Sequence, residues 1–163
     1  MKKSITVIIS ILALFLLVSG CTGSEKNTKY TYDGFTLVVP EEVQQGSIEG
    51  YTLFFYTNEI GITVLQYEFS TLEEAGYDIE TLSEKGFLEL FVANNEKAPS
   101  VKKDGSVTYT EYDAEVQGSV YSYLQTSFKG PGAMWIVTFY TVKDSYSKYH
   151  PDFMKWAKTI TVK

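Results

Sequence analysis

Apolar and polar positions along this chain change period several times, and each change marks an element. Residues 30–39 alternate around Asp33-Gly34, a pair favoured in two-residue hairpin turns, and predict two short strands ended by Pro40. Residues 51–57 and 61–69 are aromatic or β-branched runs joined by a hairpin loop through Asn58, Glu59, Ile60 and Gly61. The period then becomes helical. Thr71 with Glu74, and Thr81 with Glu84, have capping-box spacing. The first predicts a single turn closed by Gly76. The second predicts a helix to about Ala93 with Ile79, Leu82, Gly86, Phe87, Leu90 and Phe91 on one face. Gly86 within that face costs about 1 kcal/mol against alanine, which predicts a close approach to a neighbouring sheet.

Three longer strands follow, at 107–116, 119–128 and 133–142, separated by Gln117-Gly118 and Gly130-Pro131-Gly132 as an antiparallel meander. In the second, Val120, Leu124 and Phe128 share a face with Ser122 and Thr126, opposite Tyr121 and Tyr123. The third carries Trp135, Val137 and Phe139 on one face and Met134, Ile136 and Tyr140 on the other, which predicts cover on both sides. Pro151 suits the first position of a short last helix, whose stripe is Phe153, Trp156, Ala157 and Ile160. These elements predict an α+β domain, an antiparallel β-sheet with helices packed on its faces.

The N-terminus follows a different pattern. Lys2 and Lys3 precede an almost uninterrupted apolar run over residues 5–18, and Ser19-Gly20-Cys21 follows. A positive start, a short apolar core and small residues at a cleavage point describe a secretory signal. The run is short of the about 20 residues that a membrane-crossing helix needs. Val18-Ser19-Gly20-Cys21 resembles the lipobox of bacterial lipoproteins. That resemblance implies diacylglyceryl transfer to the Cys21 thiol and cleavage after Gly20. Three segments are expected: a signal peptide at 1–20, a lipidated N-terminus and polar tether at 21–29, and one domain at 30–163.

Composition narrows the partners. Cys21 is the only cysteine, so no intramolecular disulfide forms, and stability must come from core burial. All 14 basic residues are lysine against 20 acidic ones, for a net charge of −6. An acidic chain without arginine is a poor partner for nucleic acid. It is also a poor electrostatic partner for anionic headgroups, so the expected membrane contact is the lipid on Cys21. The expected location is the cell membrane, facing outside the cytoplasm, with a protein of the cell envelope as partner.

The opening from Tyr32 through Asp33, Gly34 and Phe35 to Val39-Pro40-Glu41 resembles the start of PsbP-like domains, where a strand hairpin ends at a similar Val-Pro-Glu step. The middle helix, the meander, and a final helix with Phe153 and Trp156 ahead of Thr159-Ile160-Thr161 resemble that family too. The resemblance covers about residues 30–163. It implies the αβα sandwich shared by photosystem PsbP proteins, Ran-binding Mog proteins and many bacterial lipoproteins, whose members are typically non-enzymatic binding or assembly factors. No functional residue is carried over, because the basic surface and metal contacts of the plant proteins have no matching motif here.

Little else in the sequence points to catalysis. His150 is the only histidine, in Tyr149-His150-Pro151, and reads as a surface or capping residue; no Gly-x-Ser-x-Gly elbow accompanies it. One histidine and one cysteine are too few for structural zinc. Gly130-Pro131-Gly132 reads as a turn, because it lacks the lysine and hydroxyl of a phosphate loop. No catalytic or cofactor-binding residue is assigned, and no cofactor is expected. Glu111, Asp113 and Glu115 share one strand face at i, i+2 and i+4 and are the one candidate cation set. Their repulsion would be relieved by lysines on the paired strand or by a bound cation such as calcium, and the preferred reading is a solvated strand end that keeps the protein soluble. The many tyrosines could line a sugar or peptide groove, or serve only as good strand residues. The sequence thus favours a non-catalytic, membrane-anchored binding or assembly accessory. The alternative is a carboxylate-dependent hydrolase acting on cell-envelope material. A shallow aromatic groove would favour the first, and a deep pocket with two converging carboxylates the second.

Overall fold

The computed structural model describes residues 26–93 and 100–163. Cys21 and the segment expected to be a signal peptide lie outside the described residues. The first strand, β1 (Asn27–Tyr32), begins within the segment expected to be tether. It pairs antiparallel with β2 (Phe35–Pro40) through a two-residue turn in which Asp33 and Gly34 take φ 42° and 80°. Gly34 is required twice over, since a Cβ there would also collide with the Lys163 carbonyl oxygen. The other edge of β2 takes the C-terminal strand, Thr161–Val162.

This three-stranded sheet is separate from the main one, so the single sheet expected from the sequence divides into two. The reason is alternation. Phe35, Leu37 and Val39 all point inward and are fully buried, so β2 lies across the core as a second layer.

The main sheet has seven antiparallel strands. The first three in sequence are β3 (Gln44–Gly46), β4 (Leu53–Tyr56) and β5 (Ile60–Glu68). After two helices come β6 (Lys102–Asp104), β7 (Val107–Val116), β8 (Ser119–Lys129) and β9 (Ala133–Val142). The C-terminal strand is β10. The spatial order is β3-β4-β5-β9-β8-β7-β6, which puts β9 at the centre and explains its bulk on both faces. The meander expected from the sequence is present with its strand limits within one residue.

Each face has its own core. On the first, Ile62, Val64, Leu124, Val137 and Phe139 meet the small sheet and α3 (Lys143–Ala157), which supplies Phe153, Trp156 and Ala157. Fully burying a phenylalanine contributes about 1.5–3 kcal/mol, so Phe35, Phe55, Phe139 and Phe153 weigh heavily here. On the second face, Met134 and Ile136 meet α1 (Phe69–Glu74) through Leu72 and α2 (Glu84–Val92) through Phe87 and Leu88.

The helices depart from expectation in detail. Thr71 lies inside α1, after N-cap Glu68, and Gly76 closes the turn at φ 90°. Ser83, not Thr81, caps α2, accepting from the Gly86 N–H at 3.1 Å. The innermost residue of α2 is the fully buried Leu88, while Leu90 is exposed. A Cβ on Gly86 would meet only Ser83 and Leu82, so no sheet approaches there. The start of α2 is instead pinned by β8: Ser127 Oγ donates to the Glu84 carbonyl at 2.6 Å, and Lys129 Nζ to the Ile79 and Leu82 carbonyls at 2.5 and 2.9 Å.

The last helix starts at Lys143, so Pro151 and His150 stand inside it and not at its beginning. Its first two turns are held by contacts distant in sequence, described below. Ile160 lies beyond its end.

Candidate functional site

Helix α2 covers only part of the second face. Where it stops, the residues of that face are fixed by strand register. Gly61, Tyr140, Tyr123 and Tyr112 stand side by side across β5, β9, β8 and β7. The next row on the same face is Thr63, Thr138, Gln125 and Thr110. One row of tyrosines and one of small or amide polar groups thus form a floor. Phe91 of α2, Leu65, and Tyr51 and Ile48 from the β3–β4 loop form the walls, and Val116, Gln117 and Ser119 of the β7–β8 turn close one end. The result is a groove of about 550 Å³, open to solvent, within the range of small-ligand sites.

The rings are ordered against one another. Tyr112 and Tyr123 stack with centroids 5.1 Å apart and planes 13° apart. Tyr123 and Tyr140 lie 5.8 Å apart, and Tyr121 meets Tyr140 edge-on at 6.3 Å. Gly61 permits this arrangement, because a Cβ there would overlap the Tyr140 ring. Burial, followed by the neighbouring phenol of Tyr123, pushes the Tyr112 hydroxyl up to about 12. Burial also raises Tyr123 and Tyr140. These phenols therefore stay neutral donors and acceptors at ordinary pH. Gln125 Nε2 donates to Thr138 Oγ1 at 2.9 Å, while Gln125 Oε1 is buried without a partner. Among the described residues, none of those lining the groove carries a charge.

A second cleft of about 370 Å³ lies at the other face, between the β4–β5 turn and α3. Its lining includes Glu42, Glu59 and Asp152 beside Tyr149 and Trp156. Glu59 pairs with Lys148 at 3.1 Å, and Lys148 lies over the Tyr149 ring at 4.5 Å.

The acidic strand residues do not reach the groove. Glu111 and Asp113 face α3, on the opposite side of the sheet from Tyr112. Glu111 accepts from the Tyr146 hydroxyl at 2.7 Å and lies 3.1 Å from His150 Nε2 and 3.2 Å from Lys102 Nζ. Asp113 accepts from Ser122 Oγ at 2.5 Å and pairs with Lys143 at 2.7 Å. Glu115 is exposed near the strand end. Relief of repulsion thus comes from lysines, one on the paired strand β6 and one on α3. Burial, then the Glu111 carboxylate, pushes the Tyr146 hydroxyl well above its ordinary value, and Asp113 raises Lys143. Among the described residues, no three His, Cys, Asp or Glu stand together to hold a metal ion. Cys21 lies outside the described residues, and among these no helix is long and apolar enough to cross a membrane.

The sequence places Tyr121 and Tyr123 on one face of their strand and Tyr140 on one face of the next, without relating the two faces or assembling the groove. The signal was alternation within each strand. What it lacked was strand register and the place where α2 ends.

No protein-family model matches the sequence, and no curated protein matches it in sequence. Solved structures do match. The solution structure of cyanobacterial PsbP (CyanoP) from Synechocystis sp. PCC 6803 overlays with a TM-score of 0.56 at 16% identity, covering 91% of this chain and 99% of that one. The chain has the PsbP fold. A crystal structure of a protein from Bacteroides thetaiotaomicron VPI-5482 overlays at 0.57 with 13% identity, covering 83% of this chain and 48% of that one, so this chain spans about half of that protein's length. LpqN, described as involved in cell envelope biogenesis of Mycobacterium tuberculosis, overlays at 0.44 with 10% identity, covering 84% of this chain and 90% of that one. Likeness at these identities concerns the fold alone.

Proposed function

We propose that this protein is a non-catalytic binding or assembly accessory outside the cytoplasm, held to the membrane by a lipid on Cys21 and binding cell-envelope material in its tyrosine-lined groove. The observation that carries the reading is the groove itself: ordered neutral phenols and amides, with no carboxylate among its described lining residues. General acid–base hydrolysis needs titratable groups at the reacting bond. Recognition needs only shape, apolar faces and a few oriented polar groups. The lipid, inferred from Val18-Ser19-Gly20-Cys21, raises the local concentration of the groove at the membrane. An envelope protein that meets the anchored complex is part of the same proposal.

The test is retention of the protein, kept in detergent, on envelope material freed of membrane lipid, so that the lipid on Cys21 cannot itself hold it there. Replacing Tyr112 and Tyr123 together with alanine is expected to abolish retention, while Glu59→Gln with Asp152→Asn leaves it intact. The second cleft, with its three carboxylates, favours the hydrolase as the competing reading. Release of soluble fragments from the envelope by the natural protein, lost in the Glu59 and Asp152 variant, would establish that reading instead. In-cell crosslinking from exposed Tyr51 identifies the partner.

A further inference from the structure

We infer that the ligand of the tyrosine-lined groove is a neutral oligosaccharide; this rests on the groove being the binding site.

Three ligand classes are disfavoured by the lining. An anionic ligand would be desolvated with no opposite charge beside it. The negative net charge of the chain adds repulsion against acidic ligands. A wholly apolar ligand would seal off Gln117, Gln125, Thr63 and the phenol hydroxyls without partners, and unmade bonds in a dry site are expensive. An extended peptide draws affinity from main-chain pairing at a sheet edge. Among the described strands, β6 pairs with β7 only over Val107–Tyr109, so a peptide could add to β7 only at the sheet edge beyond Tyr109, beside the floor. Over the tyrosines themselves β5, β9, β8 and β7 pair with one another and offer side chains alone.

A neutral sugar fits what remains. A pyranose has an apolar C–H face that lies on an aromatic ring, and a rim of hydroxyls that both donate and accept. Tyr112 and Tyr123 stack on each other and so give the groove ring edges and phenol hydroxyls, while the exposed Tyr51 on the wall supplies an aromatic face. Beside these rings stands the polar row of Thr63, Thr138 and Gln125. Gln125 Oε1 is the one buried side-chain polar atom without a partner among the described residues. It is an acceptor in need of a donor, and a sugar hydroxyl is a donor without charge. An amide terminus presents donor and acceptor together, which matches adjacent hydroxyls on a ring. The volume of about 550 Å³ accommodates two or three sugar units lying along the tyrosines.

The experiment is titration by calorimetry and NMR with neutral trisaccharides of glucose and of N-acetylglucosamine, with trigalacturonate as the acidic counterpart and N-phenyl-1-naphthylamine as an uncharged apolar probe. Binding of a neutral trisaccharide is expected with Kd on the order of 0.1 mM, insensitive to salt. Tyr51→Ala, at a 44%-exposed position where folding is not at stake, weakens it about fivefold. Gln125→Leu removes the orphan acceptor and is expected to leave Tm near its natural value while weakening the sugar about tenfold and leaving the apolar probe unaffected. Binding of the apolar probe alone, or equal binding of trigalacturonate, overturns the inference. So does absence of trisaccharide binding up to about 10 mM. In these cases the proposed function stands if the Tyr112 and Tyr123 double variant still loses envelope retention. Loss of the sugar inference together with unchanged retention in that variant brings down both.

Discussion

Gly61 and Tyr140 occupy facing positions on β5 and β9, and the ring lies over the glycine where a side chain would be. The conflict created by Gly61→Ala falls on the far end of a ring that opens toward solvent, so the ring moves before the strand does. The expected outcome is a Tm loss of only a few degrees together with at least a severalfold weaker groove ligand, read by thermal melts and binding on the same sample. Tyr112 gives a second residue-scale expectation. Its folded value is raised, so the neutral form is the one the fold favours. The contribution is full below about 10, the unfolded value, and is lost as pH rises through about 12. Ultraviolet titration should show a tyrosine that ionises late, together with a fall in stability across that window. Tyr112→Phe should flatten the fall. Ionisation of every tyrosine near 10 in the folded protein would refute the burial assigned to this ring.

At the scale of elements, α3 shows what a sequence carries and what it does not. Its second half was legible, because Phe153, Trp156 and Ala157 repeat at helical spacing. Its first half, with Lys143, Asp144, Ser145, Ser147 and Lys148, has almost no apolar signal, and Pro151 suggested a beginning. The half exists because Lys143, Tyr146 and His150 bind Asp113 and Glu111 on β7, thirty or more residues earlier in sequence. No local pattern reports such a contact. The strands are the opposite case. Alternation and turn pairs such as Asp33-Gly34 and Gln117-Gly118 are local, so seven of the ten strands among the described residues are legible, while β3, β6 and β10, at two or three residues each, are too short to show alternation. The groove falls between these cases: parity puts the tyrosines of each strand on one face, but only strand register and the end of α2, beyond which no described residue covers that part of the face, bring them together. The helix reading makes a signed prediction. An interior proline forfeits one hydrogen bond and crowds the Ser147 carbonyl, at a cost of about 3 kcal/mol, offset in part by a stiffer unfolded chain. Pro151→Ala should therefore stabilise by about 1–2 kcal/mol. A neutral or lowered stability would mean that a helix begins at Pro151 after all.

At the scale of the whole molecule, charge and anchor divide the work of membrane attachment in the proposed function. Loss of residues 1–20 removes Lys2 and Lys3, so the 14 lysines fall to 12 against 20 acidic residues and the net charge moves from −6 to −8. Anionic headgroups attract juxtamembrane cations by about 1 kcal/mol each, and an acidic domain receives the reverse. Two acyl chains, at about 0.8 kcal/mol per buried methylene, overwhelm that repulsion. The natural protein should therefore stay with vesicles of anionic lipid at low and high salt alike, and its mature N-terminus should show the mass of a lipidated Cys21. Protein carrying Cys21→Ala and freed of residues 1–20 should remain in the supernatant, most firmly at low ionic strength, where the screening length reaches about 30 Å at 0.01 M. An unlipidated protein that sediments with anionic vesicles at low salt and leaves them at high salt would locate the attachment on lysines of the folded domain. The lipid on Cys21 would then be unnecessary to the proposed function.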